Sequence, residues 1–343
     1  MIKNYSYQNN QPSALISTKI FSLAPGYLSV APMLGITDRH CRFFLRQLNT
    51  NVLLYTEMIT TGALLFGKND HLFYHDAEHP IALQLGGNEP NVLARCAKLA
   101  QKRGYDEINL NIGCPSNRAK NGHFGACLMT EKNRVAACIS AMHEVVTLPI
   151  TVKIRIGIDK QDSYAFLYEF VDTVSSLGGC KTFIIHARKV LLNGLSTKEN
   201  REIPPLDYDR VYQLKKDFPN LRLILNGGIK TLNDIQTHLK KLDGVMMGRA
   251  VYKNPFILAQ IDSKLSGNVN PLISQMAVIE AMLPYIKYEL SRGTALFHIT
   301  RHMFGLFQGL PGAQKWRRYL NENAHRSGAN TDVLIKALSY VQY

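Results

Sequence analysis

The chain has 343 residues, 46% hydrophobic and 19% charged, a balance that suits a large globular protein and argues against disorder or a coiled coil. No run of 18 uninterrupted apolar residues exists to span a bilayer, and residues 1–12 lack the charged, apolar and small-residue segments of a secretory signal, so no membrane association is expected. Forty Lys and Arg against 26 Asp and Glu leave a net charge of +14, which favours a polyanionic partner, nucleic acid first.

Residues 1–23 read as a polar tail. Eight short apolar runs bounded by turn signals then predict strands at 28–32, 52–56, 81–85, 107–111, 150–155, 182–186, 221–226 and 244–247. Segments of helical period alternate with them. One is opened by Asn88 as expected N-cap with Pro90 in its first turn, and Gly104 closes it. Another has Thr231 as N-cap with Asp234 three residues on, and Ile235 and Leu239 on one face. The alternation predicts an α/β fold, a (β/α)8 TIM barrel over residues 24–265, close to the roughly 250 residues such a barrel needs. An open doubly wound sheet is the competing architecture, but no G-x-G-x-x-G follows the first strand. Two long connections, 113–131 and 188–207, follow strands and so belong on the face where barrels put their active sites.

Beyond Pro271 the pattern is wholly helical, with segments at 294–308, 313–323 and 331–341, and residues 271–343 read as an all-helical domain. Between Gly293 and Arg326 it carries Arg301, Lys315, Arg317, Arg318 and Arg326 against a single acid, Glu322, with the only tryptophan, Trp316. This is either a phosphate-binding patch or a solvated amphipathic face with Trp316 packed on the barrel. The six cysteines, Cys41, Cys96, Cys114, Cys127, Cys138 and Cys180, include no C-x-x-C pair; a reducing cytoplasm is the expected location.

Successive strands end in polar side chains: Gln84, Asn111, Lys153, His186 and Asn226. Singly each has an ordinary structural explanation, but in register they would line a pocket floor suited to a planar heteroaromatic ring. Asn226-Gly227-Gly228 and Gly248-Arg249 follow the last two strands, where barrels commonly build a phosphate site. A ring plus one phosphate suggests FMN. Cys114, in a Gly113-Cys114-Pro115-Ser116 turn one step past a strand, is the candidate general acid, while Cys127 is expected to pack.

Taken with Val30-Ala31-Pro32-Met33, Tyr55-Thr56-Glu57-Met58, Gln84-Leu85-Gly86-Gly87, Asn109 to Ser116, Val152-Lys153-Ile154-Arg155 and His186-Ala187-Arg188, these motifs resemble the tRNA-dihydrouridine synthases from about Leu28 to the end of the chain. Residues 195–206 and Trp316-Arg317-Arg318 resemble the A-type branch of the bacterial enzymes, which modifies D-loop uridines at about position 20. The resemblance implies an FMN enzyme that uses NADPH to reduce uridine in tRNA to 5,6-dihydrouridine. It also implies that Cys114 donates the proton to C5 while hydride goes to C6. Pro32, Met33 and Leu34 would lie along the flavin, the first two through backbone; Gln84, Lys153 and His186 would bind its ring system, and Asn226, Gly227, Gly228, Gly248 and Arg249 its phosphate side. Asn111 would meet the target base, and Lys198, Arg201 and Arg317 would contact tRNA. No obligate protein partner is implied. From the residues alone, a reductase of free pyrimidines, a non-catalytic RNA-binding barrel and a class I aldolase using Lys153 stay open.

Overall fold

Because side chains alternate across a strand, the polar residue ending each run and the apolar residue two positions before it must share a face. The computed structural model, which describes residues 27–265 and 273–342, turns that face inward. Eight parallel strands, β1 (Tyr27–Val30), β2 (Leu53–Thr60), β3 (Ile81–Gly86), β4 (Glu107–Ile112), β5 (Ile150–Arg155), β6 (Thr182–His186), β7 (Arg222–Asn226) and β8 (Gly244–Met247), form a closed barrel. The closing ladder pairs Leu28 with Val245 and Val30 with Met247, which excludes the open sheet. β2 runs on to Thr60, past its expected end at residue 56, because a register shift between Tyr55 and Met58 lets it resume pairing with β3.

Inside the barrel, Ala31, Leu53, Tyr55, Ala82, Ile184, Ile224 and Met246 form a separate apolar layer. Polar residues thread upward beside it. Tyr55 and Thr151 both donate to Glu107 Oε1, at 2.5 and 2.7 Å. Asn109 donates to Thr151, Gln84 to Asn109 and Asn111 to Gln84, at 2.7 to 2.8 Å. The amides at the top of the barrel are thus oriented by a satisfied network that starts at its base.

The helices between the strands are α1 (Arg39–Arg46), α2 (Thr61–Phe66), α3 (Pro90–Lys102), α4 (Asn117–Asn121), α5 (Lys132–His143), α6 (Tyr164–Ser176), α7 (Tyr208–Asp217) and α8 (Leu232–Leu239); α9 (Arg249–Lys253) and α10 (Ile257–Leu265) follow β8. α8 has the expected capping box, Thr231 accepting from the Asp234 N–H at 3.1 Å and Asp234 from the Thr231 N–H at 2.9 Å. The expectation for Asn88 is wrong. Glu89 is the N-cap of α3, without a side-chain bond, because the Asn88 amide is committed to the His123 carbonyl at 3.0 Å across the β4 loop.

The C-terminal helices are α11 (Gln275–Ser291), α12 (Leu296–Thr300), α13 (Ala313–Asn323) and α14 (Thr331–Leu338). The helix expected over 294–308 is only α12 followed by a short 3-10 turn, Arg301–Met303. A Cβ on Gly305 would lie 2.5 Å from the Lys253 carbonyl oxygen, so the chain beyond that turn packs directly on the backbone at the end of α9. Arg301 leaves the expected phosphate patch: it donates to Asp38 at 2.5 Å. Trp316 is fully buried within the helical region, its indole N–H 3.3 Å from the Met303 carbonyl and its ring edge-on to Phe307. The polar tail expected at 1–23 and the start of the helical segment at residue 271 lie outside the described residues.

Asp38 ties this helical region to the barrel. It caps α1 through the Cys41 N–H and also takes Arg301 and His302. Beside it, Arg39 makes a two-pronged pair with Glu289 at 2.5 and 2.6 Å, and Phe43 stacks on Tyr285 with ring centroids 3.8 Å apart.

Candidate active site

At the C-terminal ends of the strands lies a pocket of about 410 Å³, in the size range of small-molecule and cofactor sites. Gln84, Asn111, Lys153, His186 and Asn226 all line it. The ladders explain why: Asn111 pairs with Lys153, and His186 with Asn226, so partners stand at one height on one face. Pro32, Met33, Leu34, Cys114, Gly227, Gly228, Gly248 and Arg249 complete the expected set around the same space, whereas Lys198 and Arg317 are not among the lining residues.

The lining includes Lys153, Arg155, Arg201, Lys230 and Arg249 but no Asp or Glu, so it is electropositive. Lys153 donates to Asn226 Oδ1 at 3.0 Å, and Asn226 in turn to the Met246 carbonyl at 2.8 Å. Burial, reinforced by the charge of Arg155, pushes the Lys153 ammonium down to about 7. Burial, with Arg155, Lys153, Arg188 and Arg201 around it, holds His186 well below its ordinary value. It is therefore a neutral imidazole with one donor and one acceptor.

Gly227 and Gly228 are required by shape. Both have positive φ, +106° and +76°, and a Cβ would lie 2.5 Å from His186 Cδ2 or 2.4 Å from the Tyr208 hydroxyl. Arg249, at the same end, pairs with Glu202 at 2.5 Å.

The Cys114 turn is held from several sides. Asn111 Oδ1 accepts the N–H groups of both Gly113 and Cys114 at 3.0 Å. Because its Nδ2 already donates to Gln84, Asn111 offers a ligand one remaining amide N–H. Behind the turn, the Ala126 N–H donates to the Cys114 carbonyl at 3.0 Å, and a Cβ on Gly125 would clash with that same oxygen. The Cys114 thiol donates to Ser116 Oγ at 3.3 Å. Cys127 is half-buried, is not among the lining residues, and is pushed up by burial.

Met33 lines the same space. Its N–H donates to Thr37 Oγ1 at 2.9 Å, while its carbonyl accepts from Ile36 and Thr37; the Met33 N–H is committed to its own turn. Leu34, 67% exposed, sits on the rim. Arg201, expected as a tRNA contact, lines the pocket. Arg155 was given no role from sequence, although it stands two residues after Lys153 on the same strand face.

Across the turn that follows β1, a second cavity of about 870 Å³ lies between the barrel rim and the C-terminal helices. Its walls mix Arg39, Arg42 and Arg292 with the carboxylates of Asp38, Glu57, Asp70 and Glu289.

The family model "Dihydrouridine synthase (Dus)" matches residues 29–342. The chain is 62% identical over 316 residues to a "tRNA-dihydrouridine(20/20a) synthase" of Escherichia coli (strain K12), covering 92% of each chain. It is 63% identical over 314 residues to the protein of that name from Shewanella oneidensis, covering 92% of this chain and 93% of the relative. Among solved structures, a 2-naphthoyl-CoA reductase superposes with a TM-score of 0.53 at 8% identity, over 68% of this chain and 49% of that one, a likeness in fold.

Proposed function

The chain belongs to the dihydrouridine synthase family, and on that premise we propose that it is an FMN-dependent, NADPH-driven enzyme that reduces uridines 20 and 20a of tRNA to 5,6-dihydrouridine. The observation that carries this reading is the meeting, in one carboxylate-free pocket, of the strand-end polar residues with Cys114.

The pocket fits FMN on its own chemistry. An electropositive lining suits an anion, and the two glycines keep clear a space that any Cβ would fill. Gln84, Lys153 and His186 would hold the ring system, and Asn226, Gly227, Gly228, Gly248 and Arg249 the phosphate side. Lys153, buried and without a carboxylate partner among the described residues, suits the ring edge where reduction gathers negative charge. When bound, FMN would supply the hydride-transfer chemistry, with NADPH as reductant and C6 of the uracil as acceptor.

The residues of this chain do the remainder. Cys114 holds a proton on Sγ and delivers it to C5, and Ser116 is the hydroxyl through which that sulfur regains it. Asn111 and Arg201 face the target base, Asn111 through its one uncommitted N–H. A stacked uridine must leave its neighbours to reach this depth, at a cost of roughly a few kcal/mol. Lys198 on the β6 loop and Arg317 on α13 supply the outer surface on which the RNA rests and which offsets that cost. A reductase of free pyrimidines would need none of these. No helix among the described residues is long and apolar enough to cross a membrane, and on this reading the enzyme works in the cytoplasm, where tRNA is.

Purified protein is expected to be yellow and, with NADPH, to form dihydrouridine in unmodified tRNA. The Cys114→Ala variant should keep its flavin but work on the order of 100-fold more slowly. A colourless protein, or turnover of free uracil as fast as of tRNA, would contradict the reading; a fully active variant would transfer the proton to another donor.

A further inference from the structure

Arg155 follows Lys153 by two residues on β5, so both side chains enter the barrel from one face. Arg155 is 4% exposed and has no ion-pair partner among the described residues. Its bonds go to main-chain carbonyls: Nε to Gly113 at 3.3 Å, and Nη1 to Asn200 at 2.8 Å and Lys189 at 3.3 Å. Removing a guanidinium from water without a counter-charge is expensive, and an apolar side chain of similar volume would fill the space more cheaply. The compensating feature is which carbonyls it holds.

Gly113 contributes its carbonyl to the peptide unit whose N–H belongs to Cys114. Arg155 takes the oxygen of that unit and Asn111 takes its N–H, so the plane that aims the thiol is pinned at both ends. Asn200 stands in the same relation to Arg201. Its side chain, fully buried, bonds the Leu191 N–H and the Leu191 carbonyl at 2.8 Å, and Arg155 takes its carbonyl. One guanidinium therefore holds the peptide planes immediately before both Cys114 and Arg201, which come from loops after different strands. Lysine, with donors on a single atom, lacks the planar fork that reaches both.

We propose that Arg155 is a positioning residue that sets the spacing between Cys114 and Arg201 across the target base. This rests on the reading that those two side chains meet the uracil.

The experiment compares Arg155→Met and Arg155→Lys holoenzymes with wild type. Both variants should bind flavin and tRNA within about threefold; Arg155→Lys, which keeps the charge beside Lys153, should be reduced by NADPH at the wild-type rate, and Arg155→Met should be slowed less in that half-reaction than in reoxidation. In single turnover, reoxidation of the reduced flavin by tRNA should slow by about 10- to 100-fold for Met and less for Lys, since an error of about 1 Å costs on that scale. In the double variant with Cys114→Ala the losses should not add, because both changes act on one proton delivery. Alkylation of Cys114 by iodoacetamide, followed by mass spectrometry without tRNA, should change severalfold in Arg155→Met. Additive losses, equal slowing of both half-reactions, or unchanged alkylation and reoxidation would overturn the proposal. Should Met fail to fold, a Lys variant with wild-type reoxidation and alkylation rates would overturn it equally. Altered alkylation in a protein whose wild type makes no dihydrouridine would instead overturn the uracil reading and leave the positioning role standing.

Discussion

Lys153 shows how a single side chain makes the site costly to fold. Its folded value of about 7 lies below the ordinary 10.5 because burial disfavours the ammonium. Below pH 7 both folded and unfolded chains carry the proton, and the destabilisation is fully present. Between the two values the unfolded chain binds the proton that the folded one has released, so stability rises with pH across that window. Urea unfolding of flavin-free protein should show that rise, and Lys153→Met should lose it; an identical pH slope in the variant would mean that Lys153 does not titrate there. Lys153, His186 and Asn226 were legible in the sequence because a strand's period of two leaves a polar residue at its end only where that end faces something polar. Arg155 obeys the same period but was missed, since an arginine at the last position of a strand reads equally well as the start of a solvent-facing loop. Asn111 was legible as a site residue, but not its commitment to the Gly113 and Cys114 amides, which depends on how the chain turns after β4.

At the scale of elements, local signals were readable where the partner lies within the same turn and unreadable where it comes from elsewhere. Thr231 and Asp234 satisfy one another, so the start of α8 follows from four consecutive residues. Thr231→Ala should lower stability by about 1 kcal/mol, seen as an earlier urea midpoint at unchanged slope, whereas an unmoved midpoint would show the cap to be dispensable. Asn88 carried the same kind of signal, yet its amide was captured by the β4 loop. The helix expected over 294–308 stops at Thr300 and passes into a short 3-10 turn, an end that no local pattern announces. The closed barrel itself was readable from the count and alternation of strands, because eight β-α units of this length have few other ways to bury both faces of a parallel sheet.

For the molecule as a whole, the surplus of fourteen positive charges divides into cations that build the protein and cations that face outward. Arg301 holds the junction through Asp38. Burial alone would raise the Asp38 carboxyl, but His302, the Cys41 amide and Arg301 outweigh it and hold it well below the usual carboxylate range. Arg317 instead donates to Gln308 at 2.7 Å and has no ion-pair partner among the described residues, and on the proposed reading it contacts tRNA. Arg317→Ala should weaken tRNA binding and reduce the slope of log affinity against log salt by about one; an unchanged slope would show that this side chain only packs.

The reaction and its address on the RNA are both read by mapping dihydrouridine in total tRNA from cells lacking the gene, complemented with either the wild-type chain or Cys114→Ala. The expected result is loss of dihydrouridine at positions 20 and 20a, restored by the wild type and not by the variant. Unchanged dihydrouridine at those positions in the deletion strain would contradict the account.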